Sequence, residues 1–371
     1  MIIFYGKKAK TCYTSSFLTS KGYVMAVDFS ETLIVAISAS ALFDLSDTDS
    51  AHAKFVADNP VTASDKLQDY LLAKENDPLN AGTGYPLIKT LLNLNRFDSH
   101  KAFDDESPLV EVVIISKSTP NLGIRVLNAI RAHGLPITRS AFISGGNVAD
   151  YIADFKVDLF LTTNQDDAQM VSDREVCACA IVDATPATAH DLDSEQLRIA
   201  FDGDAVLFDE YSELIYQTQG LKAFHDYEVA MADNLIDKGA FADFLIKLSK
   251  LQHKLPTANG EIAPICIALV TARNAPADMR AIKTLRAWGV SVDMAFFLGG
   301  IEKTHVLKTF APHIFFDDSV KHIDLARPFV PSARVPYRSS SPLADNSALE
   351  ELRQSTYKPS NYRHKKDKKG Q

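Results

Sequence analysis

Phe201-Asp202-Gly203-Asp204-Ala205-Val206-Leu207-Phe208 follows directly on Leu197-Arg198-Ile199-Ala200, so an apolar β-type run ends in two aspartates one residue apart. The glycine between them lets the backbone turn sharply, and residues two apart on a strand share a face. Two carboxylates leaving a strand's carboxyl end then converge on one small volume. Their repulsion is relieved by a cation between them or by a proton on one. That is the electrostatics of a magnesium site with a carboxylate nucleophile beside an acid/base. A lone Asp-Gly-Asp is more often an acidic surface turn, so its meaning depends on the rest of the chain.

The chain says nearly the same thing twice. Val112-Val113-Ile114-Ile115-Ser116 predicts a buried strand, followed by a helix carrying Ile124, Leu127 and Ile130 and closed by Gly134. Ile267-Ala268-Leu269-Val270-Thr271 predicts another, followed by a helix carrying Met279, Ile282 and Leu285 and closed by Gly289. A constant 155 residues separates Ser116 from Thr271, Gly134 from Gly289, Arg125 from Arg280 and Phe142 from Phe297. Both copies continue to a Gly-Gly, Gly145-Gly146 and Gly299-Gly300, then to an apolar strand, Leu159-Phe160-Leu161 and Ile314-Phe315-Phe316. Strand–helix alternation of this kind predicts an α/β fold of two tandem, doubly wound, parallel-sheet, Rossmann-like units.

The copies differ where chemistry would sit. Ser38 and Ser40 stand where the second copy has Asp202 and Asp204; Thr162 and Thr163 stand where it has Asp317 and Asp318. Lys303 follows the second Gly-Gly, and no lysine follows the first. The hydrophobic frame is kept and the charge is lost, so the second copy is read as the catalytic one. There, strand ends deliver Asp202 and Asp204; Thr271 with Arg273 and Asn274; Lys303; and Asp317 with Asp318. Phosphoryl transfer needs an in-line nucleophile, a metal to offset charge and donors on the equatorial oxygens, and it would use all four. Asp202 would attack phosphorus; Asp204 would protonate the leaving oxygen and then deprotonate water. Thr271 and Asn274, the latter placed at a helix start, would offer a hydroxyl and N–H groups to an anion. Lys303 would neutralise nucleophile and phosphate. Asp317, helped by Asp318, would hold Mg2+ through hard oxygens.

These four signals, in this order, resemble the motif set of haloacid dehalogenase-like phosphohydrolases. The wording around them, with Gln219-Gly220-Leu221-Lys222-Ala223-Phe224, is similar to the type I cytosolic 5′-nucleotidase family, and the resemblance covers roughly residues 22–340. It implies Mg2+-dependent release of phosphate from nucleoside 5′-monophosphates, AMP-like ones above all. It also implies Asp202 as nucleophile, Asp204 as acid/base, Thr271 and Lys303 as phosphate binders, and Asp202, Asp317 and the Asp204 backbone carbonyl as metal ligands.

The expected division is a lead-in over 1–21, a degenerate haloacid dehalogenase-like unit over 22–190, and a catalytic one over 191–335 with a helical cap insert at about 209–258. A surface-running, partly disordered basic tail follows over 336–371. Phe224, His225 and Tyr227 in the insert are candidates to stack on a base; filling the cap's own core is an equal reading for Phe224.

Composition narrows the class. Acidic residues outnumber basic ones 47 to 39, for a net charge of −8, which disfavours a duplex-DNA or anionic-membrane binder. Four scattered cysteines make no disulfide framework, and Cys177-Ala178-Cys179 lacks a second ligand pair for zinc. No secretory pattern or membrane span is read, so the cytoplasm is the expected setting and a homo-oligomer stays open. Two alternatives stand beside the nucleotidase: a phosphatase of sugar phosphates or other small monoesters, and a nucleotide-binding protein without turnover.

Overall fold

Ten strands join in one sheet, in two runs of five whose internal order is the same. The computed structural model describes residues 29–97, 107–183, 196–255 and 263–354. The first run holds β1 (Leu33–Ile37), β2 (Val110–Ser116), β3 (Arg139–Phe142), β4 (Leu159–Thr162) and β5 (Ala178–Val182). The second holds β6 (Leu197–Phe201), β7 (Ile265–Thr271), β8 (Met294–Phe297), β9 (Ile314–Asp317) and β10 (Ser332–Arg334). Across the sheet the order is β3-β2-β1-β4-β5-β10-β9-β6-β7-β8. All pairings within each run are parallel, whereas β10 runs antiparallel to β5 through Ala333–Val182 and Arg334–Ile181. The two runs therefore point in opposite directions, and their carboxyl ends open at opposite ends of the sheet.

The expected α/β architecture is present, as one continuous sheet rather than two. The join exists because the chain beyond β9 adds a strand that pairs with the first run's edge. Strands β1 and β7 are buried along their whole length, as parallel strands covered by helices on both faces must be. Phe201 stacks on Phe316 across β6 and β9 at 5.4 Å, and Phe241 and Phe244 close over them. Each such ring contributes roughly 1.5–3 kcal/mol by leaving water.

The 155-residue offset holds at both ends of β2 and β7, β3 and β8, and β4 and β9. It also corrects the alignment of the glycines. The left-handed pairs are Ser144–Gly145 (φ 46° and 84°) and Gly299–Gly300 (φ 58° and 85°), so Gly299 answers to Ser144 rather than to Gly145. Further corrections concern helices. On the helix Asp278–Ala287, Met279 and Ile282 face solvent; the buried face is Arg280, Ala281, Thr284 and Leu285. A buried partner for Arg280, described below, turns that charged residue inward, which hydrophobicity alone does not foretell.

Of the stretch expected as an insert, 209–258, the structure describes residues up to 255. Helix Ala242–Lys254 lies on the main core through Phe244, Leu245, Leu248 and Leu251, whereas the helical stretch Tyr211–Ala230, broken at Gly220 (φ 82°), stands beside the strand ends of the second run. Residues 336–354 are not a loose surface segment. Leu343 and Leu349 pack on Leu214, and helix Asn346–Gln354 completes the layer. The basic run Tyr362 to Lys369 and the lead-in 1–21 lie outside the described residues.

Candidate active site

Strand β6 ends at Phe201, and the next residue begins an irregular turn, Gly203–Leu207, whose left-handed residue is Ala205 (φ 61°). Gly203 is needed for closeness, not for its dihedral: a Cβ there would lie 3.0 Å from Thr271 Oγ1. The turn brings the Asp202 carboxylate beside those that end β9. Asp202, Asp317 and Asp318 are buried and offer ligand oxygens within 4.8 Å of one another. Lys303 Nζ stands between two of them, 2.7 Å from Asp202 Oδ1 and 2.6 Å from Asp317 Oδ2.

Three carboxylates around one ammonium leave an excess of negative charge away from water. Burial pushes Asp202 up to about 7 against the pull of Lys303, with Asp317 adding to the rise. Burial, then Asp317 and Asp202, drive Asp318 well above the usual carboxylate range. Asp317 would also rise by burial, yet Lys303 and His322 hold it below that range. Its two oxygens take His322 Nδ1 at 3.1 and 3.3 Å, and the Ser319 N–H donates to Oδ1 at 2.8 Å. Asp202 Oδ1, although ion-paired with Lys303, has no hydrogen bond of acceptable geometry. A buried, under-satisfied set of hard oxygen donors fits a divalent cation.

The other expected residues sort into two groups. Thr271, Arg273, Asn274 and Phe224 line, with Asp202, Asp204 and Asp318, a cavity of about 630 Å³. Lys303 reaches the acidic cluster from beneath. Arg273, which lines the cavity, is almost wholly buried. Its guanidinium makes a two-point bridge to Asp204 at 2.9 and 2.6 Å and reaches Glu228 at 2.9 Å. Asn274 does not start a helix, because the helix begins only at Asp278; its side chain lies 3.1 Å from His225 Nε2. Thr271 Oγ1 accepts the Arg273 N–H at 3.2 Å. Phe224 is buried against Tyr211, Ile215 and Ala277, so its main contacts are core contacts, while one edge faces the cavity.

Four participants carry no sequence signal. Glu228, fully buried, joins Arg273 to Arg280 at 3.0 Å and accepts from Ser212 Oγ at 2.7 Å. Glu213 lines the cavity, and burial raises its carboxyl. His322 and Tyr337 approach the acidic cluster, the latter donating its hydroxyl to Asp318 Oδ2. All four lack a motif because their partners are distant in sequence or set only by the fold.

In the first run the equivalent place is filled by hydroxyls. Ser40 Oγ lies 2.6 Å from Thr163 Oγ1 and 3.4 Å from Ser38 Oγ, and the fully buried Val148 stands 155 residues before Lys303.

Comparison with known proteins gives the family. The family model for 5′-nucleotidases matches residues 25–342. Cytosolic 5′-nucleotidase 1B of Homo sapiens is 31% identical over 297 residues, which is 80% of this chain and 47% of the relative. The chain thus spans about half the length of that relative. No solved structure matches it. With a model that covers most of the chain and ends of strands occupied by the residues such a reaction needs, the chain belongs to the 5′-nucleotidase family.

Proposed function

We propose that this protein is a Mg2+-dependent 5′-nucleotidase that releases phosphate from AMP-like nucleoside 5′-monophosphates. The observation that carries the reading is the meeting of Asp202, Lys303, Asp317 and Asp318, with Asp202 and Asp318 lining a cavity large enough for a nucleotide, in a member of this family. The second run is the haloacid dehalogenase-like catalytic unit and the first its non-catalytic copy. Helix Tyr211–Ala230 is the cap. The human relative's name supports a cytosolic setting. Among the described residues no helix is long and apolar enough to cross a membrane.

The phosphate group enters above Asp202. One Asp202 oxygen attacks phosphorus as the bond to the 5′-oxygen breaks, giving an aspartyl phosphate. Asp204 gives its proton to the departing oxygen. It then takes one from the water that attacks the aspartyl phosphate, and Asp202 is freed with inorganic phosphate. Lys303 and the Thr271 hydroxyl meet the equatorial oxygens. Asp202, Asp317 and the Asp204 carbonyl, with Asp318 beside them, would hold Mg2+, which when bound offsets the phosphate charge. Arg273 keeps Asp204 in one orientation through two bonds. The cap excludes water and presents an edge of Phe224 to the base.

Phosphate release from a panel of AMP, other nucleotides and a sugar phosphate, with and without Mg2+, tests the reading. The expected result is Mg2+-dependent release preferring a nucleoside monophosphate, abolished in Asp202→Asn with the fold intact. A preference for the sugar phosphate, or full turnover by Asp202→Asn, overturns it.

A further inference from the structure

At the positions that answer to Asp202, Asp204, Asp317 and Asp318 the first run has Ser38, Ser40, Thr162 and Thr163, yet one of its helices touches the segment that completes the acidic cluster. Helix Gln165–Arg174 follows β4 and runs back along the sheet. Ten residues at about 1.5 Å each carry it about 15 Å toward the amino ends of its own strands. Because β5 and β10 are antiparallel, that end of the sheet is the one where the second run's carboxyl ends open. The helix's last turn therefore arrives beside the chain leaving β10.

There it grips residues 336–339. Gln169 Nε2 donates to the Tyr337 carbonyl at 2.9 Å and to Ser339 Oγ at 3.1 Å. Ser172 Oγ donates to the Pro336 carbonyl at 3.3 Å. Asp173 accepts the Ser339 N–H and hydroxyl, each at 2.7 Å, and Glu175 pairs with Arg338. The Tyr337 side chain enters the cavity between these backbone anchors, and its hydroxyl donates to Asp318 Oδ2. A clamp on both sides of Tyr337 fixes where its hydroxyl stands, and so the rotation of the Asp318 carboxylate against Asp202 and Asp317.

We propose that Tyr337 is a positioning residue for the acidic centre and that the first run's helix Gln165–Arg174 holds it in place, so the non-catalytic half completes the active site of the other. This rests on the reading of that cluster as a metal-holding centre. It assigns the first run a task beyond packing. Nothing passes chemically through the clamp: it sets geometry.

The test uses the full chain and four variants: Tyr337→Phe, Asp173→Ala, Asp173→Asn and the double variant Tyr337→Phe/Asp173→Ala. Calorimetric titration with Mg2+ alone, without nucleotide, reads the centre independently of turnover. Hydrogen exchange reads the clamp. Tyr337→Phe and Asp173→Ala should each weaken Mg2+ binding by roughly tenfold, the lower range for loss of an outer support to a metal ligand. The double variant should match Tyr337→Phe rather than multiply the two losses. Exchange across 335–341 should rise in Asp173→Ala while β9 stays protected, and Asp173→Asn, which keeps an acceptor for the Ser339 N–H, should restore most of both. An Asp173→Ala protein that binds Mg2+ within twofold of the original chain, or a double variant whose losses multiply, overturns the inference. An unaltered chain that binds no Mg2+ overturns it as well. Mg2+ binding with the expected variant pattern but no phosphate release sinks the nucleotidase reading and upholds this one.

Discussion

Replacing Glu228 by alanine takes one carboxylate from between two buried guanidiniums. Glu228 is fully buried, 2.9 Å from Arg273 and 3.0 Å from Arg280. Breaking a buried pair from one side costs about 3–5 kcal/mol, because the charge left behind can reach neither water nor a partner. Here the lower end applies: Arg273 keeps its two bonds to Asp204, and Arg280 keeps the Asn234 and Leu235 carbonyls at 2.9 and 3.4 Å. The first run supplies a control. Arg125 stands 155 residues before Arg280 and is as deeply buried, but its partner Asp47 is 43% exposed. Water can replace that carboxylate, so Asp47→Ala should cost about 1 kcal/mol. A loss of 3 kcal/mol lowers the melting temperature by roughly 6–12 °C, at about 2–4 °C per kcal/mol for units of this size. Calorimetry of the two variants checks the contrast. Equal losses, or a Glu228→Ala protein within 2 °C of the original, would refute the claim that burial rather than charge count sets the worth of these pairs.

Two further substitutions probe the same frame. Lys303→Met keeps volume and removes the ammonium between Asp202 and Asp317, so the metal-free protein should lose at least about 3 kcal/mol and gain stability with added Mg2+ more steeply than the original chain. A thermal shift that is flat in Mg2+ would contradict the cation reading of the cluster. Gly239→Ala should be costlier than Gly134→Ala, as urea unfolding will read. A Cβ at 239 would lie 2.2 Å from the Phe208 carbonyl oxygen and 2.5 Å from that of Val206, backbone that cannot step aside. The cost there is about 2 kcal/mol or more. At 134 the space is open and only the left-handed backbone (φ 66°) resists, at about 1 kcal/mol.

Much of the fold was legible because parallel strands buried on both faces write themselves as apolar runs, as Ile265 to Val270 and Val112 to Ile115 do. The acidic cluster was legible for a related reason: polar residues directly after such runs must sit at strand ends, and Asp202, Asp317 and Asp318 do. What escaped was set by partners rather than by pattern. The sequence pattern gives no sign that Arg280 and Arg273 share a buried carboxylate, because Glu228, itself unremarkable in sequence, is brought to them by the fold. Asn274 read as a helix start because four polar and small residues precede Asp278 without showing where the helix begins. Tyr337 lay in a stretch rich in proline and serine that reads as surface loop, and only the fold shows that helix Gln165–Arg174 stitches it down.

The reversed strand at the centre of the sheet relates the two runs by an approximate dyad, the arrangement of a two-fold dimer written into one polypeptide. In a true dimer every substitution appears twice, so neither subunit can surrender its catalytic acids without the other doing the same. Fusion lifts that restriction. The two halves are then free to differ, and here the first carries Ser38, Ser40 and Thr163 at a mouth turned away from the acidic cluster of the second.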